Sequence, residues 1–285
     1  MPSAKRQVAA VLVTEHRLSV VRACRVAQLS RAAYYRPPHR SHERDRPVIA
    51  ALQQLVATEG ARWGCDKLTD RLRRLGHPWN PKRIRRVYRA LGLTHRRRTK
   101  RRVPTRPPQP LDAPAVLNRT WAIDFMHDRL DDGRPFRTFN VLDEGNREVL
   151  AVEVSTSLPS RRVTAILDQL VTLHGRPTAL RLDNGPEFIA QPLADWCAAQ
   201  QIRLGHIAPG KPNQNAYIER FNRTYREEVL DAWLFASLTE AREITADWIT
   251  TYNTTRPHDS LGGVPPLDFI PRPTSHPLSR NQLST

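Results

Sequence analysis

An excess of positive charge runs from the start of this chain and stops near residue 106, so its two halves cannot pack by the same rules. Residues 1–110 hold 27 Lys+Arg against 6 Asp+Glu, whereas residues 111–285 hold 18 against 22. The boundary is the stretch 95–110 (HRRRTKRRVPTRPPQP), cationic without one acid and then proline-rich. Like charges and prolines leave little to bury, which predicts an extended tether over 96–116 that follows a phosphate backbone. Arg96, Arg97, Arg98, Lys100, Arg101 and Arg102 are its candidate phosphate contacts. A polyanion is the expected partner of the basic half. A genome that favours Arg over Lys would explain the residue type but not why the excess stops.

Upstream of the tether the pattern is helical, in two segments. In residues 1–40, Val20, Val21, Cys24 and Val26–Ala27 form an apolar stripe, Gln28-Leu29-Ser30 makes a turn, and Ser30 is an N-cap for Arg31–Tyr35. Two short helices of this kind suit a helix-turn-helix whose second helix offers Arg31, Tyr34 and Tyr35 to DNA. An ordinary helical hairpin has the same pattern, and the charge favours DNA. In residues 44–95, Cys65–Leu75 ends at Gly76, then Asn80 and Pro81 supply a cap and a first-turn proline for Lys82–Leu91, which ends at Gly92. That helix carries Lys82, Arg83, Arg85, Arg86 and Arg89 and no carboxylate, so a phosphate-facing role is expected rather than a merely solvated face.

Cys24, Cys65 and Cys197 are too scattered for a disulfide framework, and His39 and His42 lack the cysteine pair of a zinc site. The apolar run Val8–Val13 is shorter than a signal-peptide core and no spanning segment is present, so a cytoplasmic, nucleoid-associated protein without a membrane partner is expected.

From residue 118 the periodicity changes. Thr120–Met126, Phe136–Leu142 and Val149–Val154 read as strands, the last two joined by the turn Asp143-Glu-Gly-Asn146. Ser160–His174 reads as a helix, Thr178–Asp183 as a fourth strand, Pro192–Gln200 as a helix, Ile202–Ile207 as a short strand and Asn213–Leu230 as a helix. The segment between Val154 and Thr178 is long enough for a right-handed crossover. The fold class is therefore α/β, a mixed sheet flanked by helices over 117–272, followed by a tail at 273–285.

Three acids stand out from this frame. Asp124 lies within an apolar strand, a costly place for a charge unless it is paired or holds a metal. Asp183 ends a strand where Asn184-Gly185 forces a turn, and strand ends are where α/β folds bind ligands. Glu219 follows 36 positions later on a helix whose Ile218, Phe221 and Tyr225 form a core stripe beside a face of Asn215, Glu219, Asn222 and Arg226. Converging carboxylates of this kind can hold two divalent metals against a phosphodiester. Taken singly each acid could be a capped turn or a surface ion pair, and that reading is preferred for Asp143, Glu144 and Glu187.

Specific strings surround the acids: Trp121-Ala-Ile-Asp-Phe125, Arg181-Leu-Asp-Asn-Gly-Pro-Glu-Phe188, Pro209-Gly-Lys-Pro-Asn-Gln-Asn215, Ile218-Glu-Arg-Phe-Asn-Arg223 and Tyr252-Asn-Thr-Thr-Arg-Pro-His258. With them the chain resembles, over nearly its whole length, the DDE integrase-core transposases of bacterial insertion sequences, in the second reading-frame type related to retroviral integrases. The resemblance implies an RNase H-like integrase catalytic core preceded by helix-turn-helix DNA-binding segments, with two Mg²⁺ (or Mn²⁺) ions per active site held by Asp124, Asp183 and Glu219. It places Arg226 as a catalytic basic residue, Asn184, Gly185 and Asn215 as pocket-shaping residues, and Lys211, Arg223, Arg256 and His258 among the DNA contacts. Tyr252, Asn253, Arg256 and His258 look like the family's C-terminal signature, with packing or DNA contact as the two readings. Implied partners are double-stranded DNA (terminal inverted repeats and target), further copies of the chain in a synaptic complex, and an upstream helix-turn-helix product as fusion or partner. The implied activity is metal-dependent strand cleavage and strand transfer, and the alternative is a catalytically silent, transposase-derived DNA-binding regulator. Asp143-Glu144 departs from the expected pair of aspartates or aspartate and aromatic, and Val264-Pro265-Pro266 from a more usual Thr-Pro.

Overall fold

The computed structural model of the protein describes residues 2–35, 41–95, 114–183, 191–206 and 215–272. It divides into two compact units, residues 1–51 and 52–285. Most of the expected tether, residues 96–113, lies outside the described residues. Among the described residues no helix is long and apolar enough to cross a membrane.

The first unit contains α1 (Pro2–Thr14), α2 (Val20–Val26), α3 (Arg31–Tyr35) and the start of α4 (Ser41–Thr58). The expected Ser30 cap is present, its Oγ accepting from Ala33 N at 3.1 Å, and Ala9, Ala23, Cys24 and Ala27 are buried. The Arg6 Nε donates to the Ala33 carbonyl at 3.0 Å and ties α1 to α3.

In the second unit the rest of α4 packs with α5 (Cys65–Arg74) and α6 (Pro81–Ala90) through Leu52, Leu55, Trp63, Leu68, Leu72, Ile84 and Val87. The helix α6 starts as expected: the Asn80 Oδ1 accepts from Lys82 N at 2.8 Å, and Pro81 occupies the first turn, where it costs no hydrogen bond. At the end of α5, Gly76 adopts φ 85°, a left-handed conformation that other residues reach only with strain. Within the expected helical segment 44–95, α4 was not singled out as a helix of its own; Pro47 lies inside it.

The remaining chain forms a five-stranded sheet of order β3-β2-β1-β4-β5. Its strands are β1 (Thr120–Arg129), β2 (Pro135–Asp143), β3 (Val149–Ser155), β4 (Ala179–Leu182) and β5 (Arg203–His206). The meander β1-β2-β3 is antiparallel, and β4 and β5 join it in parallel, as a crossover requires. Strand alternation splits the core in two. Trp121, Ile123, Phe139, Val141, Leu180 and Leu182 face α7 (Ser160–His174) and α8 (Gln191–Ala199). Ala122, Leu142, Val149 and Val154 face α9 (Ala216–Tyr225) and α10 (Leu238–Thr254). Between these two helices lies a π-helical turn, Arg226–Leu230, and the chain ends its described part with a 3₁₀ turn (Asp259–Leu261) and α11 (Pro266–Phe269). Asn253 of α10 grips the exposed edge of the sheet, accepting from Val149 N at 2.9 Å and donating to its carbonyl at 2.8 Å. An edge residue covered this way cannot pair with another strand.

Candidate active site

Asp124 sits mid-strand in β1, opposite Asn140 of β2, between Ala122 and Met126 on the α9 side. Its Oδ1 accepts from Phe125 N at 2.8 Å and its Oδ2 from the Asn222 side-chain amide at 2.7 Å. Asn222 accepts in turn from the Asn140 amide at 2.8 Å, so a short relay from β2 through α9 aims the carboxylate. Parallel pairing of Ala122 with Arg181 sets the register, and continuing it by two residues brings Asp183 alongside Asp124 on the neighbouring strand. Burial raises the Asp124 carboxyl to about 6, against the two hydrogen bonds, and the Asp183 and Glu219 charges push it further the same way. The three acids are therefore close enough to feel one another. Among the described residues no three His, Cys, Asp or Glu side chains are gathered tightly enough to enclose one ion.

Glu219 is exposed on the first turn of α9, whose opposite face buries Ile218, Phe221 and Tyr225 in the expected stripe. Seven residues on, Arg226 begins the π-helical turn and is tied to β1: Nη1 donates to Asp128 Oδ2 at 2.7 Å and Nη2 to the His127 carbonyl at 2.6 Å. Arg226 thus fastens α9 to the strand that carries Asp124. Such π-helical insertions recur beside functional sites.

Comparison with known proteins gives this arrangement a context. Models of the integrase core domain match residues 116–212 and 200–266, and an HTH-like domain model matches 43–101. An insertion element IS476 protein of 39.2 kDa from Xanthomonas euvesicatoria is 37% identical over 94% of this chain and 77% of its own length. This chain belongs to the integrase-core transposase family of bacterial insertion sequences. The transposase InsF of insertion sequence IS3A from Escherichia coli K12 is 24% identical over 91% of this chain and 97% of its own. Among solved structures, a chain of the simian T-cell lymphotropic virus intasome in complex with the PP2A regulatory subunit B56 gamma covers 80% of this chain, at 17% identity and a TM-score of 0.50, with 79% of that chain matched. That likeness concerns the fold alone, the expected RNase H-like integrase core with its mixed sheet and flanking helices.

The family's helix-turn-helix match falls on α4–α6, the second helical segment rather than the first. There Lys82, Arg85, Arg86 and Arg89 are exposed and Arg83 half-buried, and Arg85 donates to Asp66 of α5 at 2.7 Å. In α3, Arg31 and Tyr35 are exposed and Tyr34 half-buried. Arg223 is exposed on α9. Asn184, Gly185, Lys211, Arg96, Arg97, Arg98, Lys100, Arg101 and Arg102 lie outside the described residues. Asn215 precedes α9 as its cap residue, 2% exposed, and makes no side-chain capping bond.

For the family's C-terminal signature the geometry is that of packing. Arg256 is buried, donates to both carboxylate oxygens of Glu228 in the π-helical turn, and lies over the Tyr252 ring. His258 is buried edge-on against Tyr252, and burial lowers its pKa to about 3, so it is neutral.

Sequence reasoning placed the turn between β2 and β3 but missed its burial. Asp143, Glu144, Asn146 and Glu148 are all buried there. Asp143 does cap its turn, accepting from Gly145 N at 2.9 Å, but it and Glu148 also share the Arg272 guanidinium. Gly145 is the one residue type that fits, since a Cβ there would stand 2.3 Å from the Val116 carbonyl oxygen. Glu144 is ion-paired with Arg181 at 3.4 Å, and burial raises its pKa to about 7.

Proposed function

We propose that this chain cuts and joins DNA strands at the ends of its insertion sequence, with Asp124, Asp183 and Glu219 as ligands of two Mg²⁺ or Mn²⁺ ions. The observation that carries the reading is the parallel register of β1 and β4, which continues to bring Asp183 alongside Asp124, and the raised pKa of Asp124, to which the Asp183 and Glu219 charges contribute, supports it. A buried acid among acids destabilises itself unless a cation joins it, and an all-oxygen donor set suits a hard divalent ion. Bound there, such ions would activate the attacking oxygen and stabilise the leaving one.

The chain's own residues supply position and charge. Asn222 and the Phe125 amide leave Asp124 one fixed orientation. Arg226 holds α9 against β1 and, with the exposed Arg223, puts positive charge on the helix beside Glu219, where a phosphate backbone would lie. Helices α4–α6, with their cationic face, would hold the terminal repeat, while target DNA, pairing of two ends by further copies of the chain, and an upstream helix-turn-helix partner complete the reading.

The test is incubation of the full chain with Mg²⁺ and a labelled duplex bearing the element's own end, beside Glu219→Gln. Metal-dependent nicking and joining that disappear in the variant are expected. End binding without cleavage in the wild type, with or without an upstream partner, would favour the silent regulator instead.

A further inference from the structure

The helices α5 and α6 have an apolar core of their own, distinct from that of the sheet. Leu68, Leu72, Ile84 and Val87 are buried there, whereas both apolar clusters that flank the sheet are built from residues after 120. Two ion pairs join α5 to the end of the catalytic core. Lys67, Asp70 and Arg74 stand three and four positions apart and share one face of α5. Opposite them, in the same order, come Asp259 of the 3₁₀ turn, Gly263 and Asp268 of α11. The Lys67 ammonium meets the Asp259 carboxylate at 2.8 Å, and the Arg74 guanidinium is paired with Asp268. Between the two pairs Gly263 is buried at φ 83°, and a Cβ there would stand 2.8 Å from the Asp70 Oδ2.

A cation, an acid and a cation on one side thus face an acid, a residue without a side chain and an acid on the other. The paired residues are 192 and 194 positions apart in the chain, so no local helical pattern produces the match. Both outer acids, Asp259 and Asp268, stay exposed to water, and an exposed ion pair shifts an equilibrium by about fivefold at most. Inside one chain such a contact acts at an effective concentration on the order of millimolar, so weak pairs suffice to close it, and the same weakness lets it open. Its far side leads to the acids. Arg256, three residues before Asp259, is paired with Glu228 in the π-helical turn that continues α9, the helix of Glu219.

We propose that Lys67, Asp70 and Arg74 form with Asp259, Gly263 and Asp268 a polar latch that seats the HTH-like helices α5 and α6 on the catalytic core. Closed, it presents DNA held by the cationic face of α6 to the acids at one fixed distance. Lys67, Arg74, Asp259 and Asp268 are then positioning residues for cleavage. The inference rests on the reading of α6 as a DNA-binding helix and of the three acids as the site of cleavage.

Amide hydrogen exchange of the full chain, followed by mass spectrometry over residues 256–268, reads the latch without any reaction. Asp259→Lys/Asp268→Lys turns two attractions into repulsions, so exchange there should quicken about tenfold with little change in melting temperature. Adding Lys67→Glu/Arg74→Glu to that variant swaps the charges across the contact and should restore most of the protection, which a general loosening of the fold would not allow. Cleavage of a labelled element end, counted per bound duplex, should fall in the first variant and recover in the second. DNA contact alone predicts the opposite, because the first variant adds positive charge and the second takes it away again. Unchanged exchange in the first variant, or no recovery in the second, overturns the latch. Lost protection with unchanged cleavage per bound end overturns the positioning role. If the wild type binds ends and never cleaves them, the reading of the acids fails and the positioning role with it, while the exchange rates still decide the latch.

Discussion

Asp124, half-buried in β1, and Glu144, fully buried in the turn after β2, are two carboxylates that meet the loss of water in different ways. Asp124 accepts two hydrogen bonds and has acids for neighbours, and its pKa rises to about 6. Glu144 has Arg181 and Arg147 for neighbours, both of which favour its charge, yet it accepts no hydrogen bond and rises to about 7. The two are also read differently: Asp124 as a ligand of the metals, Glu144 as a buried charge of the turn.

Activity should separate the two most sharply. Asp124→Asn should abolish both strand cleavage and strand joining on a labelled element end while end binding persists. Glu144→Gln should leave the same activity measurable. If the two variants were equally dead, the division between metal ligand and buried turn residue would be lost.

Next in size is a comparison within the turn itself, between Glu144 and its neighbour Asp143, which is fully buried but shares Arg272 with Glu148. Arg272→Met leaves two buried carboxylates without their cation and should cost about 3–5 kcal/mol in urea denaturation. A cost near zero would mean that backbone donors alone carry Asp143, and that its pairing is not what distinguishes it from Glu144.

The acids of the candidate site were legible because their signals are local. Asp124 interrupts an apolar alternation, Asp183 precedes Asn184-Gly185, and the stripe Ile218, Phe221 and Tyr225 turns Glu219 outward. The same locality made the strands and α7 readable. Glu144 was set aside as an ordinary turn residue because its burial is a long-range fact. It depends on Gly145 lying against Val116, on Arg272 arriving from the far end of the core, and on Arg181 from β4. Asn222 was placed on the right helix face, but its bond to Asp124 spans 98 residues and leaves no periodic trace. The family resemblance left Arg256 between packing and DNA contact, and only the fold brings Glu228 to it.

The pH dependence of stability isolates Glu144. Its carboxyl lies near 4.5 when exposed and about 7 in the fold, so its folded environment favours the protonated form. The contribution is fully present below pH 4.5 and is lost as pH rises through about 7. Glu144→Gln should remove that slope and leave the variant more stable than wild type above neutrality, by about 3 kcal/mol at most. Denaturation midpoints measured across the range check it. An unchanged slope would mean that Glu144 finds hydrogen bonds in solution, and the contrast with Asp124 would then disappear.

The smallest effect bears on the other side of the contrast. Asn222→Ala takes from Asp124 one of its two hydrogen bonds and from Asn140 its side-chain acceptor, which leaves Asp124 closer to the condition of Glu144. Hydrogen bonds to charged groups contribute about 1.5–3 kcal/mol, but half-exposed Asn222 can be replaced partly by water, so a loss of about 1 kcal/mol is expected in urea denaturation. The rotamer of Asp124 would then be set by the Phe125 amide alone, and Mn²⁺ affinity should fall although no ligand has been touched. Stability and affinity that both stay at wild-type values would show that β1 orients Asp124 without help from α9. In that case the relay from Asn140 through Asn222 would belong to packing, and Arg226 would remain as the contact between α9 and β1 that matters to the site.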